Sequence, residues 1–141
     1  MRNRLLVVAS AGLSLSLTPA LSAEETKPAA PPEPHGITCA FVPNVRGFIS
    51  IDESHIVLEG IGSTKYLITF VSRCHALNYA IDISLDRHGS DLCSGDAIIA
   101  RNDRCMIRYV EKVRNTQEGR DIVAARLAAE EAKSKEKSGQ H

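Results

Sequence analysis

Four cysteines are the residues whose chemistry matters most in this chain. Cys39, Cys74, Cys93 and Cys105 are separated by 35, 19 and 12 residues. A structural zinc site is expected to show close ligand pairs such as Cys-x-x-Cys, and none is present. The same lack argues against a redox dithiol. An even number of widely spaced cysteines in a small segment reads as two disulfides if the chain is exported, as its first residues suggest. Four cysteines allow three pairings, and spacing alone does not choose among them. Strand order gives a weak preference. Cys39 opens the first expected strand and Cys105 the last, and terminal strands of small barrels often neighbour each other. That favours Cys39 with Cys105 and leaves Cys74 with Cys93.

A second chemistry would use a free Cys74 thiol as nucleophile beside a histidine. His75 adjoins Cys74, and His35 lies four residues before Cys39. Adjacent residues on a strand face opposite sides, so Cys74 and His75 make a poor chelating pair there. A nucleophilic thiol would also have to stay reduced in an oxidising compartment. Neither a metal nor a cofactor is expected.

Carboxylates supply a third chemistry. Asp52, Glu53, Asp82 and Asp96 could provide a glycosidase-like pair of acids. Each also has a plainer role. Asp52-Glu53 suits a tight turn, Asp82 the solvated face of a strand, and Asp96, after Gly95, the capping of backbone amides. His55 and His88 fall near expected turns and should be exposed. No Gly-rich phosphate loop, Gly-x-Ser-x-Gly or His-Glu-x-x-His motif occurs. Arg101, Arg104 and Arg108 could form a basic patch. With three Tyr, three Phe and no Trp to stack bases, nucleic acid is not an expected partner.

The elements that must position these residues begin after a leader. Arg2 and Arg4 precede an apolar run from Leu5 to Leu21, and small residues follow at Ala20, Ser22 and Ala23. This is the order of a secretory signal peptide over residues 1–23, cut after Ser22 or Ala23. The run is short and rich in serine and alanine, so no stable membrane anchor is expected. Without Arg2 and Arg4 the 17 basic residues fall to 15 against 17 acidic, a formal charge of −2. That balance gives no electrostatic footprint for nucleic acid or an anionic membrane. The expected location is periplasmic or secreted.

Residues 24–36 hold four of the six prolines and read as an extended, solvated linker. Residues 37–113 are rich in β-branched residues and turn signals. Tyr79, Ile81, Ile83 and Leu85 alternate with Ala80, Asp82 and Ser84, which predicts a half-buried strand. Ile49 with Ile51 and Ile56 with Leu58 mark a hairpin around Asp52-Glu53. Residues 64–71 form a longer strand with two-sided burial in its second half, and Cys74 to Asn78 a single helical turn. Ala97–Ala100 and Met106–Val110 flank a turn at Arg101 to Arg104. About six strands in so short a segment predict an all-β antiparallel sandwich or partly open barrel, stapled by its cysteines. Residues 114–141 form a charged tail. Asn115 caps a helix there, with Glu118 closing a capping box. The tail reads as a solvated helix fraying from Ser134, or alternatively as a docking helix for a partner.

The run Tyr66-Leu67, Cys74-x-x-Leu77, Ala80-Ile81, Leu92-Cys93-x-Gly95-Asp96-x-Ile98 and Arg104-Cys105-x-Ile107 has a family likeness. It resembles an uncharacterised family of small exported proteobacterial proteins, a domain of unknown function of the DUF6491 type. The resemblance covers about residues 37–113. Family members often carry proline after the matching cysteine, where this chain has His75, and the lipid-attachment cysteine of some members is missing. The resemblance implies no activity and no catalytic residues.

These readings converge on an exported, non-catalytic envelope module that binds an unknown protein or small molecule. The alternative is a periplasmic hydrolase using an acid pair or a Cys–His arrangement. A third possibility makes the C-terminal tail the functional part.

Overall fold

The computed structural model describes residues 30–138. The expected signal peptide, and residues 24–29 of the expected linker, lie outside them. Eight strands and one helix follow in chain order: β1 Cys39–Phe41, β2 Val45–Asp52, β3 His55–Gly60, β4 Lys65–Phe70, β5 Ser84–Asp86, β6 Asp91–Cys93, β7 Ala97–Ala100, β8 Asp103–Val113 and α1 Thr116–Ser138. Six strands form one curled antiparallel sheet, a half-barrel in the order β2-β3-β4-β8-β7-β5. Strands β1 and β6 pair separately as a short antiparallel ribbon. The mostly-β expectation, with a C-terminal helix, therefore holds.

The period of two along β4 places its side chains on alternate faces. Tyr66, Ile68 and Phe70 enter the concave core with Ile56, Leu58, Leu92, Ile98 and Ile107. Leu67 points to the other face and packs with Val57, Val113 and Val123 of α1. Both faces of β4 are covered, and this is why its sequence reads as an almost unbroken apolar run. At the β2–β3 turn, Asp52 Oδ1 accepts a hydrogen bond from the Ser54 amide at 2.7 Å, the local bond that makes aspartate a turn former.

A bulge interrupts β8. Thr69 pairs with Tyr109 and Phe70 with Ile107, so Arg108 is the extra residue. Two side chains, Arg108 and Tyr109, therefore stand between the core residues Ile107 and Val110. The Arg108 guanidinium lies 5.2 Å from the Tyr109 ring centroid.

The alternating segment from Tyr79 does not form the strand its pattern predicts. Only Ser84–Asp86 pairs, and it pairs with three residues of the four-residue β7. The available ladder is too short to organise the rest. Tyr79 and Ile81 are exposed, Ile81 at 96%. Ala80 and Ile83 are the residues that reach the core instead.

The helix begins as its sequence suggests, with the Asn115 side-chain oxygen accepting the Glu118 amide at 2.8 Å. Glu118 does not complete the box on Asn115. Its carboxylate accepts from the Arg114 side chain at 3.0 Å and the Arg114 amide at 2.6 Å. These two bonds, the side-chain one foremost, hold the Glu118 carboxyl below its ordinary value. The helix is neither a free solvated tail nor one frayed from Ser134. It runs to Ser138 and packs on its own sheet through Gly119, Ile122, Val123 and Arg126.

Gly119 is the point of closest approach. A Cβ there would lie 2.9 Å from Val57 Cγ2 and 3.8 Å from both Ile51 Cδ1 and Leu67 Cδ1. Gly119→Ala gains about 1 kcal/mol of helix propensity. Overpacking against β3 costs roughly 1–3 kcal/mol, so the variant should be less stable by about 1 kcal/mol in urea unfolding. A more stable variant would show that the helix can move off the sheet without loss.

Candidate functional site

The cysteines are joined as two disulfides, but not in the favoured pairing. Cys39 bonds Cys93 and Cys74 bonds Cys105. The reason lies in the topology. β1 does not join the main sheet beside β8; it pairs with β6, where Cys39 stands directly opposite Cys93. Cys74, just beyond β4, then faces Cys105 at the start of β8, in the core. Among the described residues no cysteine is free. A Cys74 nucleophile and a thiolate zinc site both need a thiolate, and these disulfide-bonded sulfurs supply none. No group of three or more metal-ligating side chains converges among the described residues.

Asp52 and Glu53 share the β2–β3 turn, and each carboxylate holds a different histidine. Asp52 Oδ1 lies 2.9 Å from His55 Nδ1. Glu53 Oε1 lies 2.9 Å from His75 Nδ1, and Asn78 Nδ2 donates to the same oxygen at 3.4 Å. Arg73 Nε is 4.0 Å from Glu53 Oε2. A carboxylate that binds Nδ1 fixes the ring and its tautomer. His55 is thus not the exposed residue expected: its side chain is 13% exposed and bound to Asp52, because β3 places it opposite Thr69 on the sheet. His88 is exposed. The remaining acids lie elsewhere. Asp96 Oδ2 accepts the Cys93 amide at 2.8 Å, the capping role expected of it. Asp82 is exposed in the irregular segment before β5. The three arginines form no single patch. Arg104 donates to Asp86 at 2.7 Å, Arg108 lies 3.9 Å from Glu33, and Arg101 sits in the β7–β8 turn.

A different kind of site opens at one end of the half-barrel. Phe41, Val42 and Pro43, at the β1–β2 connection, face Gly60, Ile61 and Thr64 around the β3–β4 connection, with Tyr66 between them. They enclose a recess of about 270 Å³. No charged side chain lines it. The Tyr66 hydroxyl is already used, donating to the Phe41 carbonyl at 2.9 Å. Phe41 and Ile61 stay 64% and 48% exposed at its mouth, an arrangement unfavourable in water unless something covers them. Val42, Pro43, Ile61 and Thr64 lie in the connections between strands; the recess exists because those connections meet in space.

Arg126 is the polar residue whose role the sequence least suggests. It is nearly buried and forms a two-pronged pair with Glu111 at 2.7 and 2.9 Å. It also donates to the carbonyls of Pro32 at 2.8 Å and Pro31 at 3.4 Å. The Glu111 bond raises the Arg126 guanidinium further above its ordinary value, against the burial that lowers it. Residues 31 and 32 are therefore held against the helix and β8 rather than solvated as a free linker. The available signal was spacing: Gly119, Val123 and Arg126 lie four and three residues apart, on one helix face.

Half-barrel, β1–β6 ribbon, two disulfides and packed C-terminal helix define a small stapled β module. The chain belongs to the family of unknown function DUF6491, whose family model matches residues 1–136. The match reaches beyond the strands at both ends, whereas the sequence likeness covers about residues 37–113. No curated protein and no solved structure matches the chain.

Proposed function

We propose that this protein is an exported, non-catalytic binding module of the cell envelope, periplasmic or secreted, that takes a small apolar ligand in the recess between Phe41 and Ile61. The observation that carries the reading is the recess itself: a partly open, mostly apolar surface with Phe41 and Ile61 exposed at its rim and no charged side chain in its lining. Small-ligand sites are concave and mostly apolar in this way. Two disulfides support an oxidising location. Among the described residues no helix is long and apolar enough to cross a membrane. The competing reading is a hydrolase using an acid pair or a Cys–His arrangement; its thiol version has no free cysteine to use among the described residues.

The test uses Phe41→Trp. The chain has no tryptophan, so the new indole reports on the recess alone. Titration with the neutral dye N-phenyl-1-naphthylamine should give saturable binding with a shift in the indole emission. Adding Ile61→Asp should weaken it roughly tenfold, since a buried carboxylate opposes an apolar ligand, while the unfolding temperature stays unchanged. Non-saturable binding, or equal binding after Ile61→Asp, would sink the proposal.

A further inference from the structure

We infer that a second recess, between the β7–β8 turn and the short 3-10 turn His75–Asn78, binds a free α-amino acid as its zwitterion. The recess holds about 290 Å³ and is lined by His75, Ala76, Tyr79, Arg101, Asn102 and Asp103. Three independent observations meet there.

The first is backbone strain. Arg101 has φ +56°, in the left-handed region that L-residues other than Gly and Asn rarely adopt. It occupies the first central position of a two-residue hairpin turn between paired Ala100 and Asp103, where Gly is the usual choice. Asn102, next to it, is a residue type that tolerates this conformation better. An arginine kept in the strained position places a guanidinium at the recess, and strain of this kind collects at ligand clamps.

The second is charge. Arg101 and Asp103 both line the recess, yet neither forms an ion pair among the described residues. Both side chains are exposed at the rim of a shallow, open recess, and a cation and an anion placed together there without joining suit a ligand carrying both charges. The planar guanidinium matches a carboxylate, and Asp103 matches an ammonium group. Nearby Glu53 is already engaged by His75, Asn78 and Arg73, so it does not compete for the ammonium. The exposed Tyr79 ring, 69% open, offers a stacking face for the amino-acid side chain.

The third is rigidity. The two walls are cross-linked by the Cys74–Cys105 disulfide, which starts one residue before His75 and ends two after Asp103. A preorganised wall lowers the ordering cost of binding.

The experiment titrates the full mature protein with L-phenylalanine by isothermal calorimetry. Two truncated analogues accompany it: 3-phenylpropanoate, which lacks the ammonium, and phenethylamine, which lacks the carboxylate. Phenylalanine should bind saturably, and each analogue roughly tenfold or more weaker, the worth of one lost charge-assisted bond. Arg101→Gly removes the guanidinium and the strain together. It should raise the unfolding temperature by roughly 2–5 °C while weakening phenylalanine roughly tenfold. Asp103→Asn, which keeps the shape, should weaken phenylalanine and leave 3-phenylpropanoate unchanged. Ile61→Asp should leave phenylalanine binding intact, which separates this site from the apolar recess. Absence of saturable phenylalanine binding overturns the inference. So does full binding by Arg101→Gly, or 3-phenylpropanoate binding as tightly as phenylalanine.

Discussion

Replacing Cys74 and Cys105 together by alanine should lower stability by roughly 4–5 kcal/mol, more than the same replacement of Cys39 and Cys93. Chain entropy alone ranks them the other way. The Cys74–Cys105 loop spans 31 residues and the Cys39–Cys93 loop 54. Those loops correspond to about 3.7 and about 4.2 kcal/mol. Burial decides the order. Cys74 and Cys105 are 3% and 6% exposed inside the main core, so removing two sulfurs there also leaves a void in the cluster that holds Phe70 and Leu77. Cys39 lies exposed on a three-residue ribbon strand, where little packing is lost. Urea unfolding of the two double variants under oxidising conditions checks the ranking. A larger loss from the Cys39–Cys93 pair would mean that loop closure outweighs core packing here.

Arg126→Leu should cost roughly 2–3 kcal/mol. The change leaves the Glu111 carboxylate without its partner and two proline carbonyls without a donor. The loss stays below that of a fully buried pair because Glu111 remains 21% exposed and part of its charge is solvated. Pairing the change with Glu111→Leu should recover most of the loss, since the apolar pair no longer strands a charge. Residues 30–35 should also become more open to proteolysis once Arg126 no longer holds them. A single variant as stable as the parent, with the segment still protected, would show that the pair contributes nothing.

Much of the strand pattern was legible because local signals agreed with the final pairing. Ala97–Ala100, the Asp52-Glu53 turn, the two-sided β4 and the Asn115 cap are all local features, and each formed as expected. Non-local features were not legible. The alternation at Tyr79–Leu85 suggested a strand, but a strand needs a neighbour of matching length, and β7 offers only four residues. The cysteine pairing turned on β1 leaving the main sheet, which nothing near Cys39 announces. Gly119 has its role only through the sheet beneath it, where a Cβ would meet Val57 of a strand some sixty residues earlier in the chain. Both recesses belong to this second class. Phe41 meets Ile61, and Tyr79 meets Arg101, only after loops distant in the chain are brought together. The Asp96 cap was readable because Gly95-Asp96 acts on an amide three residues away.

The central pairing of β4 with β8 joins Lys65 to Val113 and Ile68 to Val110. No hairpin links these two strands; 32 residues lie between Phe70 at the end of one and Asp103 at the start of the other, and both disulfides also bridge distant points of the chain. Contacts of such long sequence separation form slowly. A nascent chain could make the β2–β3–β4 meander early, but the middle of the sheet would stay open until β8 appeared. Synthesis would thus release a polypeptide whose central sheet stays incomplete until residues 103–113 have emerged. The topology acts as a delay, keeping the molecule unlocked until the strand carrying Cys105 arrives to close it.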